Sequence, residues 1–177
     1  MNARSEGSSL AGALTRFVLG SGHVVSYVNG ILVLVIVLQV MLRYLFGRGF
    51  VTLEELEWHL WAVAFLWGLS YCVANDSNIR MDLLYKRLPE RHREWMDAFG
   101  ILFLLIPFVV VMFVQGVDFT EHSFRLGERS EAPLGLPYRW IIKSAIPISM
   151  VMLALAVVAR LARFFHWILS EKGHGRH

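Results

Sequence analysis

VVSYVNGILVLVIVLQVML, residues 24–42, runs without a single Asp, Glu, Lys, Arg or His. At about 1.5 Å per residue, a helix of that length comes close to crossing a hydrocarbon core of roughly 30 Å. AFGILFLLIPFVVVMFVQGV, residues 98–117, does so equally well. Two shorter stretches, Leu60–Ala74 and Ser144–Ala159, are just as free of charge. They reach spanning length through interfacial flanks: Trp58, His59 and Asn75 for one, Trp140 to Ile142 for the other once Lys143 snorkels outward. The sequence thus predicts an all-α fold, an integral membrane four-helix protein. Its membrane domain covers 22–165, with spans at about 23–46, 53–75, 97–117 and 140–163. Residues 1–21 form an N-terminal segment and 166–177 a tail.

The chain has 177 residues and a formal net charge of +3. The spans consume almost half of it, leaving connections too short for a separate soluble domain. The first apolar run is longer than the core of a signal peptide and has no small-residue cleavage site behind it, so it is expected to remain in the mature protein. On the side that carries both termini and residues 75–97, Lys and Arg number eleven; on the other side they number six. The positive-inside bias therefore places both termini in the cytoplasm of a bacterial cell, with the spans in its inner membrane. That distribution makes the basic excess an orientation signal, and no nucleic-acid partner is expected.

Gly47 is a natural stop for the first helix, with Arg43 at the outer interface. Thr52-Leu53-Glu54-Glu55 fits a capping box opening the second, in which the Thr52 hydroxyl accepts from the Glu55 amide and Glu55 reaches back to the Thr52 amide. Glu54, Glu55 and Glu57 also suit the positive end of a helix dipole. Helix initiation and a subunit contact both account for this acidic cluster. After Asn75-Asp76-Ser77-Asn78, a turn-prone run, Met81, Leu84, Tyr85 and Leu88 recur at spacings of three and four. This predicts a short amphipathic helix on the cytoplasmic membrane surface between spans two and three. Pro89 ends it and opens a further turn over Glu90 to Asp97. Pro107 is a possible kink in the third span, and Pro147 lies near the start of the fourth. Gly127 to Pro137 is too rich in Gly and Pro for regular helix and is expected to fold against the outer surface.

Small residues recur every four positions as Gly22, Ser26 and Gly30 on the first helix and as Ala64, Gly68 and Cys72 on the second. Such stripes let backbones approach where lipid supplies no hydrophobic drive. They suit packing on each other or on another protein's helix, and the spacing leaves both open. Five of six tryptophans fall at interfacial depths, and the deep Trp67 reads as packing. The deep amides Asn29, Gln39 and Gln115 are expected to bond across helices.

The chemistry is defined mostly by exclusion. Pumps and ion-coupled carriers keep an ionisable group inside the bilayer, and the missing one here points to an accessory subunit rather than a stand-alone small carrier. A haem-binding redox anchor using His23 and His166 is the other rival. It is disfavoured because His166 follows Arg160 and Arg163, at the headgroups, and His59 sits at the opposite face. Cys72 is alone, so no internal disulfide forms. No nucleophile–base pair, phosphate loop or metal-ligand spacing occurs, so no enzyme activity, cofactor or metal is expected.

Read in order, Arg43-Tyr44-Leu45-Phe46, Glu54-Glu55, Asn78-Ile79-Arg80-Met81-Asp82-Leu83-Leu84, Leu136-Pro137-Tyr138-Arg139-Trp140 and Ile146-Pro147-Ile148 resemble the small membrane subunit of tripartite ATP-independent periplasmic (TRAP) transporters. The resemblance covers about Val24 to Ala159 and departs at Asn78, where many relatives carry histidine. It implies a large membrane subunit holding the substrate and sodium sites, and a periplasmic substrate-binding protein that delivers commonly an organic acid. This chain is then a scaffold in the lipid bilayer. Glu54, Glu55, Arg80 and Asp82 mark matching family motifs. Arg43 and the stripe residues Gly22, Ser26, Gly30, Ala64, Gly68 and Cys72 are candidate contacts for the large subunit. Arg125, Glu128, Arg129 and Glu131 are candidate contacts for the binding protein.

Overall fold

The computed structural model describes residues 3–47, 49–75, 89–133 and 135–174. Among them there is no strand. The helices are α1 (Ala3–Phe46), α2 (Val51–Ala74), α3 (Glu90–Gly100), α4 (Ile106–Arg125) and α5 (Arg139–His174). A π-helical turn, Ile101–Leu105, joins α3 to α4 in one continuous rod. The segments Gly12–Phe46, Arg91–Arg125 and Arg139–Ile168 are long and apolar enough to cross a membrane. The 24-residue α2 is not among these three segments, and Glu54, Glu55, Glu57 and His59 occupy its first turns. The predicted amphipathic helix over Met81 to Leu88, with Asn78, Arg80 and Asp82, lies outside the described residues.

Local chemistry explains the breaks. Gly47 takes a left-handed φ of 62° and donates its amide to the Arg43 carbonyl at 3.0 Å, closing α1 as a glycine after a helix does. Upstream of Pro107, the amide of Ile106 donates to the Ile101 carbonyl five residues back. A proline lacks an amide and its ring crowds the preceding turn; a wider turn just before it takes up that misfit without ending the helix. Pro147 likewise sits inside α5. There the Ser149 hydroxyl donates back to the Ile146 carbonyl three residues earlier at 2.7 Å.

The hub of the fold is α5, which packs against α1, α2 and α4. Its inward positions are small or flexible: Ala145, Ser149, Met150, Ala156 and Ala159 are all buried. One cluster joins Val18 of α1, Ala74 of α2 and Met152 and Ala156 of α5, with Trp67 packed against it, as its depth predicted. Another joins Val109 of α4 to Met150 and Leu153 of α5. Helices α4 and α5 cross closely at Gly116. A Cβ there would stand 2.9 Å from Ile146 and 3.2 Å from the Pro147 ring. The Ser70 hydroxyl donates to the Ser149 carbonyl at 3.5 Å, a long bond between α2 and α5. Away from these contacts the rods turn apolar side chains outward: Leu34, Phe65, Leu104, Val111 and Val158 are exposed.

Candidate partner interface

Charge excluded from the apolar runs collects at the two ends of the bundle, where most of it among the described residues is engaged. At the end formed by the α1–α2 turn, Arg43 pairs with Glu54 at 2.6 Å, both side chains remaining well exposed. The predicted capping box does not form there. Helix α2 starts at Val51 with Phe50 as its N-cap and without a side-chain cap, so Thr52 already lies inside the first turn. Glu55 is therefore free to turn toward residues 126–138. It accepts from the Leu136 amide at 2.5 Å and from the Ser130 hydroxyl. Gly135 lets it approach, since a Cβ there would meet both Ser130 and Glu55.

The same loop is tied to α5 by Glu128. Its carboxylate pairs with Lys143 and with Arg139, the latter at 3.6 Å, while its carbonyl accepts the Arg139 amide at 3.2 Å. The Lys143 ammonium, which also lies 3.8 Å from the centre of the Phe119 ring, holds the Glu128 carboxyl below its ordinary value. Lys143 thus reaches out of the apolar stretch, as the sequence predicts, to a specific acceptor. Arg125 pairs with Glu121 one turn back on α4. Arg125, Arg129 and Glu131 face outward, whereas Glu128 is half-buried.

The opposite end carries two arginines that the sequence marks as orientation charge and as headgroup-depth residues before His166. Arg160 binds Asp97 of α3 at 3.1 Å and lies 4.0 Å from Glu94. Arg163 donates to the Thr15 hydroxyl of α1 at 2.9 Å and to the carbonyl of Ala74, the last residue of α2, at 3.3 Å. A terminal helix carbonyl lacks an intrahelical donor, and a guanidinium there satisfies it and suits the dipole. The signal was present in the sequence: Arg160 and Arg163 stand three apart, adjacent on one helix face.

The small-residue stripes meet each other in part. Gly22 lies under the Tyr71 ring so closely that a Cβ would stand 2.2 Å from it. Above this contact Ser26, Asn29, Ala64, Gly68 and Cys72 line a crevice of about 250 Å³ between α1 and α2. The Ser26 hydroxyl bonds within α1, to the Gly22 carbonyl at 3.3 Å. Ala64 is buried. A Cβ added at Gly30 or at Gly68 would meet no described atom within 4 Å, which leaves room beside both backbones. Among the described residues no group of His, Cys, Asp and Glu is placed to hold a metal ion.

Long apolar rods, charges confined to the ends and outward-facing apolar surfaces define a multi-pass helical membrane subunit. Residues 32–166, well over half of the chain, match the family described as tripartite ATP-independent periplasmic transporters, DctQ component, and the chain belongs to that family. It is a small permease subunit of a TRAP transporter, in a family that is not enzymatic and works in general with a large membrane subunit and a periplasmic binding protein. No curated protein matches the chain.

Proposed function

We propose that this subunit spans the inner membrane four times, with both termini in the cytoplasm, and holds the stationary part of the large subunit. The transporter then takes up an organic acid with sodium, after a periplasmic protein delivers it. In this reading α2 is the second span, beside the three longer segments: about 36 Å of helix at 1.5 Å per residue is long enough, with its glutamates at the outer interface. Met81 to Leu88 lies on the cytoplasmic surface, and Arg80 and Asp82 belong to that contact region.

The observation that carries the reading is where the charge goes. None lies in the apolar runs, and at both ends ion pairs fix helices to one another. Such a chain is suited to stay rigid while a partner moves. The open stripe of Gly30, Gly68 and Cys72 offers the large subunit a close helix approach, with Gly22, Ser26 and Ala64 setting the α1–α2 crossing beneath it. Arg125, Arg129 and Glu131 offer the binding protein an outward charged rim, while Glu128 and Glu55 shape the loop that presents it.

Reconstitution tests this directly. Proteoliposomes with both membrane subunits and the binding protein are expected to accumulate solute down a sodium gradient, and the small subunit alone to move none. Transport by the small subunit alone would overturn the scaffold role. Labelling of single cysteines introduced near residues 8 and 130 from either side of the membrane checks the orientation.

A further inference from the structure

Gln39 is expected from its depth to bond across helices, yet no hydrogen bond ties its side chain to another described residue, although it is only 7% exposed. It lines a crevice of about 310 Å³ between α1 and α2, together with Arg43, Glu54 and Glu57. Glu57 shares the deficit: its Oε1 is buried without a hydrogen-bond partner among the described residues. Seven residues before the end of α1 and six after the start of α2, both lie about two helical turns from the α1–α2 turn. A buried carboxylate oxygen left unbonded is costly, most of all beside lipid.

We infer that this crevice receives one cationic side chain, lysine or arginine, from a transmembrane helix of the large subunit. Three features select that occupant. Glu54 and Glu57 against Arg43 leave the crevice one negative charge in excess, and Arg43 already pairs with Glu54, so Glu57 is the carboxylate still to be matched. An ammonium or guanidinium brings several N–H donors, enough for Glu57 Oε1 and the Gln39 carbonyl together. Ile36 and Val40 flank the mouth and are 40% and 47% exposed, an apolar rim on which a neighbouring helix packs and which accommodates the stem of a long side chain. The inference rests on the scaffold reading and adds to it the position and chemistry of one contact.

The test uses the full small subunit co-expressed with the large membrane subunit of the same transporter. Glu57→Gln keeps the shape and removes the charge; Gln39→Leu removes the amide. Each is expected to weaken association by about tenfold or more in nanodiscs, while leaving the unfolding midpoint of the isolated small subunit in place. A photoreactive residue at Val40 is expected to crosslink to a large-subunit peptide within one turn of a lysine or arginine. Substituting that cation by methionine should match the loss seen for Glu57→Gln, and the double variant should lose no more. Unchanged association of both variants, or a crosslink to lipid or to a second small subunit, overturns the inference and leaves the scaffold reading standing. If the unaltered pair fails to associate, both fall.

Discussion

At the end holding the α1–α2 turn, carboxylates do the fastening: Glu55 takes the Leu136 amide and the Ser130 hydroxyl, and Glu128 takes Lys143 and Arg139. At the other end guanidiniums do it, Arg160 on Asp97 and Arg163 on Thr15 and the Ala74 carbonyl. The first set folds an irregular loop onto helices, whereas the second ties three helices to the central one. The difference follows from what each end must satisfy. A Gly- and Pro-rich loop exposes amide donors, which need acceptors. The end of α2 exposes carbonyls, which need donors. Glu55 supplies the acceptor for a loop amide, and Arg163 the donor for a helix-end carbonyl.

The comparison makes the arginine end structurally dominant, and Arg160→Ala should show the largest loss. It removes the guanidinium that binds Asp97, only 16% exposed at its side chain, and we expect about 2–4 kcal/mol in a detergent unfolding titration. Arg160→Lys should recover part of that, because an ammonium cannot fork between Asp97 and Glu94. A cost near zero would break the contrast between the ends. Between them, Gly116→Val should cost about 1–3 kcal/mol by the same titration, since its side chain meets Ile146 and Pro147. Gly30→Val, with open space around it, should stay within about 0.5 kcal/mol in the isolated subunit.

The carboxylate end should instead respond to pH. Lys143 holds the Glu128 carboxyl below its ordinary 4.5, so the ionised form favours the folded loop. That contribution is fully present above about pH 4.5 and is lost as pH falls through the lower folded value. Proteolysis of residues 126–138 should accelerate on acidification, and Glu128→Gln should show the faster cleavage already at neutral pH. An effect of opposite sign is expected at Tyr138, which holds a left-handed φ of 61° at the start of α5 and is 63% exposed. Tyr138→Gly should stabilise by about 0.5–1 kcal/mol, the relief of strain exceeding the entropy cost of glycine.

Sequence made the rods legible because hydrophobicity is additive along a helix and needs no knowledge of neighbours. Val24–Leu42, the Gly47 stop, the outward reach of Lys143 and the packing of Trp67 were all readable in that way. Residues whose role depends on a distant partner were not. Glu55 looks like half of a capping box because Thr52 stands three positions before it, and only the loop some 80 residues later shows what it accepts. Gly116 belongs to no four-residue stripe, and its importance comes from Pro147 on another helix. Arg160 and Arg163 carried a local signal, their spacing, but a charge count treats each cation alike. Gln39 is the reverse case: sequence predicted a bond across helices, and no described residue supplies a partner for it.

The π-helical turn at Ile101–Leu105 also keeps two contacts in phase. A surplus residue held in regular α-helix rotates everything beyond it by about 100°, whereas one wider turn absorbs it. Below the turn, Asp97 and Glu94 face Arg160 of α5; above it, Val109 and Gly116 face that same helix. Drawn as uninterrupted α-helix, the same residues would serve one alignment and lose the other. Deleting a single residue within the turn is expected to leave a regular helix with both contacts kept. The turn is thus a phase adjuster.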